Sequence, residues 1–467
     1  MELSRTLRVA AAAAVLYPAT AEAAPALDGA QIGWGWALPF IGILLSIATG
    51  PLLFRRIWHE HYGKIAAGWA LAALLPLAFA FGAQAAFGAF VHIALADYLS
   101  FIVLLFALYT VAGGLHIAGN LGGRPWSNTA VLAFGTAIAS VVGTTGASMI
   151  LVRPLIRANA ARRFNAHVIV FFIFLVGNIG GALSPLGDPP LLVGFLRGVD
   201  FLWPAMNLWQ PTLCAAVILL GIFLAVDVWF ARRDAQSPIK DAPVRIKGTI
   251  NLLLLAAILA AIVMSSVWQP GITFDVQGTV LQLENLTRDA ALFVIALLSV
   301  WFTPAEHRAA NDFTWEPIRE VAKLFAAIFV CIIPVLAMLQ AGHAGRFAPL
   351  LAMVTAHDGT QHAEAYFWLT GILSAFLDNA PTYLIFFQLA GGNAAELMTR
   401  LAPTLAAISM GAVYLGALTY VGNAPNLMVE AIASERGVRM PSFFGYMLWA
   451  SVVLLPVFAF VRWVLPS

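Results

Sequence analysis

Two carboxylates, Asp188 and Asp378, stand in the middle of long apolar runs. Asp188 lies in Gly187-Asp188-Pro189-Pro190, and Asp378 in Leu377-Asp378-Asn379-Ala380-Pro381-Thr382. An acid at the centre of a membrane costs at least about 2.5–3.5 kcal/mol on insertion scales, so one that persists there is presumed functional. One role is ligand to a hard cation such as Na+, at Asp378 and at Asp188, with further oxygens from Thr144, Thr145, Ser184, Asn379, Thr382, Thr419, Asn423 and Asn426. Another is proton carrier. Both roles on one carboxylate make Na+ and H+ compete, and antiport follows. A structural role is also open, because each Asp stands just before a proline, where it can cap the start of a half-helix. Capping and ion binding are compatible.

The elements that must position these groups are written twice. Residues 181–192 read GALSPLGDPPLL and residues 416–427 read GALTYVGNAPNL, with six of twelve positions identical at an offset of 235. Glycine permits unusual dihedrals, and proline removes a donor and clashes with the preceding turn. Gly187, Pro189, Pro190, Gly422 and Pro425 are therefore read as helix breaks. A break frees backbone N–H and C=O groups, which are tolerated at membrane depth only where they face protein, water or a ligand. Broken helices at corresponding places in two halves are a pointer to a transporter's binding site. Asn178, in Gly177-Asn178-Ile179-Gly180-Gly181, either lines the path or joins helices.

Composition sets the class. The 467 residues are 61% hydrophobic and 10% charged, against roughly 45–50% and 25% in soluble domains. The chain therefore reads as one polytopic membrane domain in a lipid bilayer. The net charge is +2 and no long basic run occurs, which sets nucleic acid aside. Cys214 and Cys331 both lie in apolar runs, and the nine histidines show no HExxH spacing. Nothing resembles a paired nucleophile and base, so a membrane enzyme is not expected. The only cofactors expected are the transported or coupling ions, Na+ and H+.

Residues 1–24 resemble a secretory signal peptide, with Arg5 and Arg8 before a short apolar core and Ala21-Glu22-Ala23 as a cleavage pattern. Ten apolar segments follow, near 34–50, 65–83, 99–118, 168–196, 209–231, 250–268, 288–303, 321–340, 403–434 and 446–464. Two further runs, 129–152 and 366–390, are rich in small and polar residues and read as re-entrant hairpins with polar tips. Charge supports this choice. With two hairpins, the basic loops 51–64, 153–163, 232–247, 304–320 and 435–445 all fall on the cytoplasmic side, and 269–287 outside has no Lys or Arg. Full spans would move 153–163 and 232–247 outside.

The expected fold is an all-α polytopic membrane protein, with about ten transmembrane helices and two re-entrant hairpins in two inverted-topology repeats with broken helices. The first repeat covers 34–231, with hairpin 129–152 and broken helix 168–196. A cytoplasmic linker covers 232–249. The second repeat covers 250–464, with hairpin 366–390 and broken helix 403–434. At an offset of 234, Ser140, Thr144 and Thr145 fall at Ser374, Asp378 and Asn379. Inverted repeats of this kind suit alternating access.

At these residues the chain resembles the ion transporter superfamily. The breaks Gly187-Asp188-Pro189-Pro190 and Gly422-Asn423-Ala424-Pro425-Asn426 are similar to those of its dicarboxylate carriers. The Asp378-Asn379-Ala380-Pro381 tip is similar instead to NhaD-type sodium/proton antiporters and to the putative citrate transporter family. The resemblance implies Na+ sites at two tip-plus-break pairs, an inner unit moving against an outer scaffold, and a homodimer. Departure from the dicarboxylate pattern at the tips disfavours carboxylate transport. The expectation is a secondary active transporter of a bacterial-type inner membrane, first a sodium/proton antiporter. A Na+- or H+-coupled carrier of a carboxylate such as citrate is the alternative.

Overall fold

The computed structural model describes residues 28–120, 122–234, 242–356 and 359–465. The leader expected at 1–24 lies outside the described residues, as does part of the expected linker 232–249. Among the described residues, seven helices are long and apolar enough to cross a membrane: Trp34–Leu53, Arg55–Phe81, Ala83–Ala112, Trp203–Ala231, Ile250–Val267, Leu283–Phe302 and Phe443–Val464. Glu316–Cys331 and Ile333–Gln340 together make an eighth, bent by 41°. Pro334 sits at the start of its second part and cannot donate back to the preceding turn, which accounts for the bend.

Two hairpins and two broken helices complete the set. The first hairpin is Pro125–Val142 with Thr144–Ala158, and the second is Ala363–Phe376 with Asn379–Leu389. The first broken helix runs Ala166–Leu175, then a turn at Ile179–Gly181, then Pro189–Leu196. The second runs Ala402–Leu415, then Gly416–Leu418, then Ala424–Glu435. Each half thus passes through three apolar helices, a hairpin, a broken helix and a final helix in the same order.

Burial separates two layers. Every residue from His167 to Ala182 and from Thr404 to Asn423 is buried, as expected of elements apolar all round. The outer helices instead expose large apolar side chains, such as Phe79 at 89%, Trp301 at 82% and Trp463 at 79%. Apolar exposure on this scale needs lipid rather than water around it. The chain is a helical multi-pass membrane protein.

Several boundaries differ from the sequence reading. The segment expected at 99–118 belongs to a helix that starts at Ala83 and stops at Ala112. His116–Asn120 is a strand, antiparallel to Ala242–Lys247 from the expected linker, with His116 opposite Lys247. A second two-stranded ribbon, Thr273–Val276 with Thr279–Gln282, stands before Leu283–Phe302. The helix expected from 65 starts at Arg55.

Each hairpin packs across to the other half. The second leg of the second hairpin lies on Pro189–Leu196, and the second leg of the first lies on Ala424–Glu435. This exchange carries both hairpin tips to the centre of the molecule.

Candidate functional site

The two breaks are built alike. Ser184 Oγ donates to Ser140 O and accepts from Leu186 N at 3.1 Å. Thr419 Oγ1 donates to Ala375 O at 2.5 Å and accepts from Val421 N at 3.2 Å. These are the same bonds moved by 235 residues, and they tie each break to the first leg of its own hairpin. Both hydroxyls, expected as ion ligands, thus bond to backbone of the break and of the hairpin's first leg. Thr382 Oγ1 likewise donates to Asp378 O at 3.0 Å, one turn back.

Gly422 has no room for a side chain. A Cβ there would stand 2.5 Å from Gly416 O and 2.8 Å from Ser374 O, both backbone atoms that cannot swing away. Gly187 meets Gly181 in the same manner. Gly422→Ala is expected to destabilise the protein by about 1–3 kcal/mol, as overpacking does. An unchanged melting temperature would show that the break can widen freely.

Asp188 is the centre of the site, at 1% exposure. Its Oδ1 accepts from Thr144 Oγ1 at 3.1 Å and from Asn423 Nδ2 at 2.9 Å. Its Oδ2 accepts from Asn379 Nδ2 at 2.6 Å. One carboxylate therefore gathers a residue from both hairpin tips and both breaks, where the resemblance implied two separate tip-plus-break pairs. Asp188 occupies the cap position of Pro189–Leu196, yet its side chain makes no cap bond. Asp378 is the residue that caps, with Oδ1 accepting from Ala380 N at 3.1 Å beside Asn379.

The helix starts also correct the tip register. Thr144 and Asn379 each open the second leg of their hairpin, after Gly143 and Asp378. The tips therefore correspond at 235, the offset of the breaks, and Thr144 matches Asn379 rather than Asp378. Gly143 turns at φ +82°, which glycine tolerates, whereas Asp378 turns at φ −58°.

Backbone carbonyls freed by the breaks orient three buried amides. Asn426 Nδ2 donates to Gly416 O and Thr419 O, both at 2.9 Å, so its Oδ1 is left to accept. It accepts from Asn178 Nδ2 at 2.7 Å, which also donates to Ile173 O at 2.8 Å. Asn178 Oδ1 accepts from Asn423 Nδ2 at 3.1 Å, as does Gly177 O at 3.1 Å. The result leaves Asn423 Oδ1 buried with no hydrogen-bond partner among the described residues. An orphaned acceptor beside a carboxylate carries a desolvation cost that a proton donor or a cation would relieve. Of the two roles the sequence left open for Asn178, lining the path or joining helices, its bonds to Asn423 and Asn426 fit the second.

A cavity of about 100 Å³ reaches this centre, lined by Thr144, Thr145 and Asp188 together with Tyr109, Ile318 and Met428. Among the described residues, none of those lining it is Lys, Arg or His. The donors on Asp188 are likewise all neutral. Asp188, Asn379, Asn423 and Thr144 come together; Asn426 supports them; Thr145 lines the approach; Ser184, Thr382 and Thr419 serve the backbone.

A family model described as putative citrate transport matches residues 29–465. The chain belongs to that family of membrane carriers. No curated protein matches it.

Proposed function

We propose that this family member is a secondary transporter of a bacterial-type inner membrane that exchanges Na+ for H+ at Asp188. The observation that carries the reading is a buried carboxylate held only by neutral donors among the described residues, beside an orphaned amide oxygen. A buried charge needs a partner or a proton. With no Lys, Arg or His among the described residues that line the cavity, a mobile cation is the partner available, and Na+ and H+ take turns. Asp378, beside Asn379, adds negative charge to the same region. The shared order of elements in the two halves supports an inverted repeat, in which the hairpins and breaks move against the outer helices.

A second reading keeps the same cation site and adds a carboxylate cargo such as citrate. The family description favours it. In that case Na+ or H+ at Asp188 is the coupling ion, and the cation offsets part of the cargo's charge.

Inside-out vesicles with an acid interior separate the two. The expected result is collapse of the pH gradient on adding NaCl, with no need for citrate. No response to Na+, together with Na+- or proton-dependent uptake of labelled citrate into right-side-out vesicles, would reject exchange and favour the carboxylate carrier.

A further inference from the structure

We propose that Asn178 is a positioning residue that locks the amide of Asn423 and thereby sets the cation affinity of the site; this rests on the reading that a cation binds at Asp188. Asn178 is fully buried. Both hydrogens of its Nδ2 are used, on Ile173 O at 2.8 Å and on Asn426 Oδ1 at 2.7 Å. Ile173 O can only accept, so the Asn178 amide cannot turn over, and its Oδ1 must face Asn423 as an acceptor. Asn423 Nδ2 then meets three groups that here accept: Gly177 O at 3.1 Å, Asn178 Oδ1 at 3.1 Å and Asp188 Oδ1 at 2.9 Å. Turning Asn423 over would set its own oxygen against all three. Its Oδ1 is therefore held in one place, buried and without a donor among the described residues, which is what a preorganised cation ligand requires.

Repeat symmetry does not call for this residue. At the offset of 235 that relates the tips and the breaks, Asn178 falls on Val413. Asn178 is thus a one-sided addition to a two-sided frame. It links the first break to both Asn423 and Asn426 of the second, so the ligand geometry depends on how the halves meet. Without Asn178, Asn423 loses one of the acceptors that fix it, and Asn426 Oδ1 loses its donor. Gly177 O and Asp188 Oδ1 then hold the amide alone and less tightly, and Na+ binding must complete its ordering.

The test is a double-mutant cycle on the purified full-length protein, reading the Na+ concentration that gives half of the Na+-induced rise in melting temperature. Asn178→Ala is expected to raise that concentration about tenfold. Asn178→Ala combined with Asn423→Ala is expected to be no worse than Asn423→Ala alone, because Asn178 acts through Asn423. Multiplying losses, or an unchanged midpoint in Asn178→Ala, would overturn the assignment. Should Asn178→Ala fail to fold, Asn178→Gln displaces the same amide and takes its place in the cycle. Asp188→Asn separates the two claims. Loss of Na+ stabilisation there with a multiplicative cycle rejects only the role of Asn178, whereas retained stabilisation rejects the cation site itself and the positioning role with it.

Discussion

Asp188→Asn is expected to lower Na+-driven proton exchange by about a hundredfold or more, the order seen when an essential proton-transferring group is lost, while the protein still folds. The substitution is nearly isosteric and removes the one group that can be both a carboxylate and an acid. The new amide still offers an oxygen either to Thr144 and Asn423, which share Oδ1, or to Asn379 at Oδ2. Its NH2 end, however, must face a donor, because Thr144, Asn379 and Asn423 all point donors at this side chain. One buried clash of that kind costs about 1–3 kcal/mol, enough to lower the melting temperature without unfolding the chain. Transport in reconstituted vesicles and a melting curve on the same preparation check both halves of the expectation. Exchange at the wild-type rate would remove Asp188 from the mechanism.

Asp227→Ala is expected to cost about 3–5 kcal/mol of stability, the range for stripping one partner from a buried ion pair. Asp227 is fully buried near the end of Trp203–Ala231. Its Oδ1 lies 2.5 Å from Arg162 Nη2 and 2.8 Å from His167 Nε2, and its Oδ2 accepts from Asn128 Nδ2 at 2.9 Å. Asn128 in turn exchanges amide bonds with Asn159, both at 2.9 Å. One carboxylate thus fastens both legs of the first hairpin, the start of the first broken helix and the final helix of that half. Without it, a buried guanidinium is left unpaired. A clear fall in melting temperature is expected, smaller for Asp227→Asn, which keeps acceptor capacity toward Arg162. A melting temperature within experimental error of wild type would show that water replaces the carboxylate.

The architecture was legible because glycine and proline interrupt apolar runs at positions such as Gly187 and Pro425, where an ordinary span has no use for them. Basic loops then chose hairpins over spans. The details that escaped depend on three-dimensional competition. Ser184, Thr382 and Thr419 read as ion ligands, but a hydroxyl beside freed or helical backbone is captured by the nearest carbonyl, as the bonds to Ser140 O, Asp378 O and Ala375 O record. Asp188 and Asp378 looked alike, since both precede prolines. Only the turn geometry makes Asp378 the cap and frees Asp188 for the other half. The strand at His116–Asn120 was hidden because its partner lies 131 residues away at Lys247 for His116, with no local pattern to announce the pairing. Asn178 was visible but its role stayed open between lining the path and joining helices, because that role consists of hydrogen bonds to residues of the second break.

The central claim is that Na+ and H+ compete for Asp188. The most direct measurement adds NaCl to purified full-length protein in weakly buffered detergent solution and follows released protons with a pH dye. The account predicts proton release that saturates with Na+ and is absent in Asp188→Asn. Na+ binding without proton release, or release of equal size in Asp188→Asn, would contradict it.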